Sequence, residues 1–169
     1  MAVDRRYASI VAIFASVLFV ALSIGASGLI SLYANREVLT ERDAGPLVAP
    51  IMFAVATAAL FVQLVAAAAS RRRRGVGVVT SAIIGVVVYL AFTVSGAALY
   101  SLGSGEPLRG ILFFASNALE PFAIAVGLIA VVVALLYLIL MSYRESGGAR
   151  RTPRWPWEDR DDRDREERD

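Results

Sequence analysis

Residues 7–33 read YASIVAIFASVLFVALSIGASGLISLY, 27 consecutive positions without a charged side chain. A helix over this stretch is roughly 40 Å long, enough to cross the hydrocarbon core of a bilayer with some tilt. An uncharged apolar run of that length reads as a membrane span. The Asp4-Arg5-Arg6 start resembles the n-region of a signal peptide. The apolar stretch exceeds the usual h-region of about 7–15 residues, however, so an uncleaved anchor is expected.

Three more such runs follow: Leu47 to Ala69 after the Gly45-Pro46 break, Val76 to Leu102, and Phe122 to Met141. The expected fold class is therefore an all-α polytopic membrane protein, a four-transmembrane-helix bundle with spans at about 7–33, 47–69, 76–102 and 122–141. Residues 1–6 precede this transmembrane domain of residues 7–141, and residues 142–169 follow it. The whole composition agrees: of 169 residues 57% are hydrophobic, and the mean hydropathy is +0.63.

Between the third and fourth runs stands Glu106-Pro107-Leu108-Arg109-Gly110. Pro107 suits the first turn of a helix, whereas Pro121 disfavours helical geometry at Glu120 and predicts a break there. Leu108, Ile111, Leu112, Ala115 and Leu119 share one helical face, with Arg109, Ser116 and Glu120 elsewhere. The pattern predicts a short helix over about 107–119 in the outer interface. The alternative is one long helix from Pro107 to Met141, about 52 Å in length, protruding from the bilayer.

Arginine sets the expected orientation. With the N-terminus inside, the cytoplasmic side holds Arg5, Arg6, Arg71, Arg72, Arg73, Arg74, Arg144, Arg150, Arg151 and Arg154, and the outer loops hold only Arg36, Arg42 and Arg109. Both ends are expected in the cytoplasm of a bacterial plasma membrane. Arg5, Arg6 and Arg71 to Arg74 then serve as topology determinants that meet anionic headgroups. The Arg71–Arg74 loop sits between two spans with no accompanying fold, so nucleic acid is not an expected partner.

The tail has a different composition. Ser146-Gly147-Gly148 reads as a flexible break, and Glu158 to Asp169 is almost entirely charged, so a disordered region is expected. Within it, Arg154, Trp155, Pro156, Trp157 and Glu158 carry two readings side by side. One is an interfacial anchor of aromatic rings and arginines. The other is a docking motif offered in extended form to a cytoplasmic partner.

Chemistry is narrowed mostly by absence. The chain has no cysteine and no histidine, so no thiol redox, no thiolate metal site, no histidine-ligated haem and no histidine base is expected, and no cofactor. None of the four runs contains Asp, Glu, Arg or Lys, although ion-coupled transport usually needs an ionisable group at depth. The acidic residues Glu37, Glu41, Asp43, Glu106 and Glu120 have no spacing that demands a cation. A lipid-directed enzyme would need Glu106, Arg109 and Glu120 to converge, with no nucleophile evident. No catalytic residue is assigned.

What remains is packing. Gln63 is the most polar side chain at depth and is expected to lie in a seam with Ala56, Ala59, Ala66 and Ser70, bonded to Ser16, Thr80 or Ser81. Gly77, Ser81 and Gly85 recur at i+4 on the third run, Ser23, Ser27 and Ser31 on the first, and Ala123, Gly127, Ala130 and Ala134 make a seam on the fourth. Small residues at such intervals let helix backbones approach closely. Seams of this kind leave room for a protein partner or a homo-oligomer.

The blocks Asp4-Arg5-Arg6-Tyr7-Ala8-Ser9, Asp43-Ala44-Gly45-Pro46-Leu47-Val48, Gly105-Glu106-Pro107-Leu108-Arg109-Gly110 and Arg154-Trp155-Pro156-Trp157-Glu158, in this order and spacing, resemble an uncharacterised family of small four-helix actinobacterial integral membrane proteins. The use of arginine for every basic residue, a mark of GC-rich coding, agrees with that source. The resemblance covers the chain except its last dozen residues and implies four helices and no known activity. The functional expectation is a non-enzymatic accessory or scaffold component. The alternative is a small transporter or a holin-like pore-forming channel component. In a pore, Gln63, Ser81, Thr93 and the Ser23-Ser27-Ser31 stripe should face one lumen; in a scaffold they should be buried between helices.

Overall fold

The structure, a computed structural model, describes residues 5–34, 47–70 and 77–145. These form five α-helices: α1 (Arg5–Ala34), α2 (Val48–Ser70), α3 (Val78–Ser104), α4 (Pro107–Ala118) and α5 (Pro121–Glu145). There is no strand among the described residues. Four of the helices, α1, α2, α3 and α5, are long and apolar enough to cross a membrane.

The surface is as apolar as the interior. Phe14, Val17, Ile24, Leu29, Val62, Ile83 and Leu128 are all more than half exposed. Outward-facing apolar side chains on every long helix are what a bilayer requires and water does not tolerate. The protein is a multi-pass membrane bundle.

The four long helices form a ring. α3 packs between α2 and α5, α5 packs on α1, and α1 closes on α2. Successive members run antiparallel. Tyr89 of α3 lies beside Gly127 of α5, and Gly85 beside Val131. Met52 of α2 lies beside Gly96, and the Tyr137 hydroxyl of α5 donates to the Ala8 carbonyl of α1 at 3.3 Å. The start of α1 and the end of α5 therefore emerge at the same end of the bundle.

Close approach follows small residues where α3 meets α5. A Cβ added to Gly85 would collide with Val131 and come within 3.0 Å of the Gly127 carbonyl oxygen. On α5, Ala123, Gly127, Ala130 and Ala134 are all buried, and on α3 so are Ser81 and Gly85. Gly77 departs from this stripe. It is the N-cap of α3, in extended conformation and half-buried, because the helix begins only at Val78.

The predicted seam on α2 is rotated. The side chains that fill the core are Val48, Met52, Ala56, Leu60 and Leu64, an i+4 stripe that shares only Ala56 with the expected one. Gln63 and Ala59 are half-buried at its edge, and Ala66 is exposed. A helix that is apolar all round gives its packing phase no polar marker.

Candidate functional site

Pro121 has no backbone N–H and its ring excludes the carbonyl that a continuing helix would place against it. The chain accordingly leaves helical geometry at Leu119 and Glu120. The Glu120 N–H donates back to the Asn117 carbonyl at 3.2 Å, and α5 starts afresh with the Ile124 N–H on the Glu120 carbonyl at 3.3 Å. Two helices, not one long one, cover Pro107 to Met141.

α4 packs lengthwise and antiparallel on the second half of α3. Gly110 lies against Ala97 and Ser101, and a Cβ there would stand 2.8 Å from the Ser101 Cβ. Phe113 stacks on Tyr100 with ring centroids 5.0 Å apart. Farther down, the Tyr89 hydroxyl donates to the Ala118 carbonyl at 2.6 Å. The packing face of α4 is thus Gly110, Phe113 and Asn117, while Leu108, Ile111, Leu112 and Leu119 are exposed. Its exposed apolar face points away from the bundle, and its axis runs along α3 instead of across the helix ends as a helix in the plane of the interface would.

The charged residues of this region do not assemble into a catalytic set. Arg109 pairs with Glu106, Nε to Oε2 at 2.8 Å, in the exposed first turn of α4. Glu120 stands at the opposite end of the same helix, roughly 20 Å away at helical rise. No group of three or more metal-ligating side chains occurs among the described residues.

Most of the buried hydroxyls are satisfied within their own helix. Ser16 donates to the Ala12 carbonyl, Ser81 to Val78, and Thr93 to Tyr89 and Leu90. Such back-bonding uses the single donor of the hydroxyl and leaves its oxygen only to accept. Gln63 makes none of the expected bonds to Ser16, Thr80 or Ser81 among the hydrogen bonds described. Ser27 and Ser31 are half-buried, whereas Ser23 is fully buried. Two buried polar atoms differ from the rest: Ser23 Oγ and Asn117 Nδ2 have no hydrogen-bond partner among the described residues.

Asn117 escapes a sequence reading that phases α4 by its apolar face; so do Gly96 and Gly110, whose close contacts are visible only once α2, α3 and α4 are placed together. Arg6 is exposed at the start of α1, beside Arg5. Arg71 to Arg74, the Arg154-Trp155-Pro156-Trp157-Glu158 motif and the charged tail lie outside the described residues.

A family model described as a family of unknown function, DUF6121, matches residues 1–165. The chain belongs to this family. The match reaches into the last dozen residues, beyond the extent of the resemblance read from short blocks. No curated protein and no solved structure matches the chain. Membership of DUF6121 therefore adds no residue roles, and function must be argued from the bundle itself.

Proposed function

We propose that the chain is a non-enzymatic accessory component of a bacterial plasma membrane, a four-span scaffold that holds a partner protein. The observation that supports this is a closed interior. Phe19, Leu60, Leu64, Val88, Val126, Val133 and Tyr137 are each at most 2% exposed and fill the ring between the helices. Ser81 and Thr93 are buried within it with their hydroxyls turned to their own helices. The side chains buried between the helices are mostly large and apolar, which favours a closed bundle over a conduit for an ion or a polar solute.

In this reading the paired ends are cytoplasmic, on the arginine asymmetry, and the source is an actinobacterium. α4 lies in the outer leaflet. The Arg154–Glu158 motif reaches a cytoplasmic partner by its two tryptophans. The alternative is a pore-forming or transporting oligomer. Half-buried Gln63, Ser27 and Ser31 at the bundle edge favour it, since side chains in such positions line a lumen when copies associate.

The test is isolation of the full chain from its native membrane in mild detergent, beside a Trp155→Ala/Trp157→Ala variant. A stoichiometric partner retained by the native chain and lost by the variant is expected. A homo-oligomer with no other component in both samples would overturn the scaffold reading and favour the pore.

A further inference from the structure

Ser23 and Asn117 are 1% and 6% exposed, and the free atoms Ser23 Oγ and Asn117 Nδ2 find no partner among the described residues. A helical serine can always return its hydroxyl to the carbonyl four residues back, as Ser16 does with Ala12. Ser23 does not, so its hydroxyl is turned away from its own helix and into the bundle.

The register brings the two to one level. Tyr137 and Ala8 are hydrogen-bonded. Ser23 is fifteen residues on from Ala8 and Phe122 fifteen residues back from Tyr137, so in antiparallel helices both stand about 22 Å along from that bond. Phe122 opens the first turn of α5, and Asn117 closes α4 on the other side of the break. The first turn of a helix also presents N–H groups without intrahelical partners. Buried donors and acceptors left without partners are costly, most of all where lipid surrounds the protein.

We propose that the break between α4 and α5 is a hydration site, holding ordered water that Ser23 and Asn117 share. The ligand must accept a hydrogen bond from the Asn117 amide and exchange one with the Ser23 hydroxyl, which water does with two partners to spare. An anion is disfavoured by Glu120, which stands in the break. A cation is disfavoured because the free atom of Asn117 is a donor. Bound there, water completes the hydrogen bonding that the proline-induced break leaves open, and holds α1 to α4 where the direct contacts between helices thin out.

The site can be tested in the full chain in micelles by a double-mutant cycle on thermal unfolding. Ser23→Ala and Asn117→Leu are each expected to lower the midpoint by several degrees, and the double variant to fall no further than the worse single one. Asn117→Ser, which keeps a donor and leaves room for more water, is expected to stay near the native midpoint. A midpoint raised by Asn117→Leu, or two losses that simply add, would overturn the proposal. A second readout does not depend on stability. Radiolytic hydroxyl labelling, which marks side chains beside water, is expected to modify Phe122 faster than the equally buried Tyr137 at the other end of the bundle. The excess should vanish in Ser23→Ala/Asn117→Leu. Phe122 labelled no faster than Tyr137 would contradict a hydrated break.

Discussion

The two ends of the bundle solve the same packing problem differently. At the end where Ala8 meets Tyr137 all four long helices are present and close on one another, and midway along the bundle Gly85 and Gly127 bring α3 and α5 into close approach. At the other end α5 has not yet begun, α4 runs along α3 in its place, and Gly25 and Gly28 on α1 have nothing within 4 Å of an added Cβ. Ser16, Ser81 and Thr93 return their hydroxyls to their own helices along the whole bundle, whereas the unpartnered Ser23 and Asn117 both lie toward the second end. The comparison teaches that glycine in a membrane helix is not by itself a contact. Its meaning depends on whether a neighbouring helix reaches that level.

The largest expected effect separates the packed level from the open end by one substitution at each. Gly85→Leu drives a side chain into Val131 and the Gly127 carbonyl. It should cost about 3 kcal/mol, the upper part of the overpacking range, seen as a lowered unfolding midpoint in micelles. Gly28→Leu, in open space inside α1, should not lower stability, since its side chain meets nothing and leucine is the better helix former. Equal losses would erase the distinction.

Gly110→Leu should come next, at about 1–3 kcal/mol, because its side chain meets Ser101 and the Ala97 carbonyl. Here the loss should be local. Hydrogen exchange is expected to rise across residues 107–118 while α1 and α2 keep their protection; a rise throughout would mean that α4 is integral to the closed end as well.

Tyr89→Phe removes the donor to the Ala118 carbonyl, the hydrogen bond that pins the end of α4. A loss of about 0.6 kcal/mol, the average for interhelical bonds in a bilayer, is expected, and no more than about 1.7 kcal/mol. The smallest effect should be Thr93→Val. Its hydroxyl serves only its own helix, so a change within about 0.5 kcal/mol is expected by the same unfolding measurement. A larger one would give Thr93 a role beyond packing.

The sequence announces the spans because bilayer thickness imposes a length that few soluble elements share, and it announces the break because Pro121 acts on its own backbone. The seam on α5 is also legible: Ala123, Gly127, Ala130 and Ala134 stand out against Val and Leu, and all four are buried. α2 is not legible in this way. Its buried stripe is made of Met52, Ala56, Leu60 and Leu64, while lipid accepts residues of the same kind on the other faces. Gln63 is a misleading marker, since a half-buried amide at the bundle edge looks in sequence like one in the core. On α4 the apolar face is the one turned away from the bundle, and the contact face is chosen by Gly110, whose value lies in what it lets approach. Asn117 is hidden for the same reason, being legible only as the polar residue on a face that packs.

The central claim is that the bundle is closed and serves by holding a partner. Its most direct test is flux through liposomes reconstituted with the purified full chain, followed for monovalent ions and for a small polar dye. For a closed bundle, leakage indistinguishable from that of protein-free liposomes is expected at every protein-to-lipid ratio. Flux that rises with protein and falls when Gln63 is changed to Leu would contradict it and establish a conducting oligomer in its place.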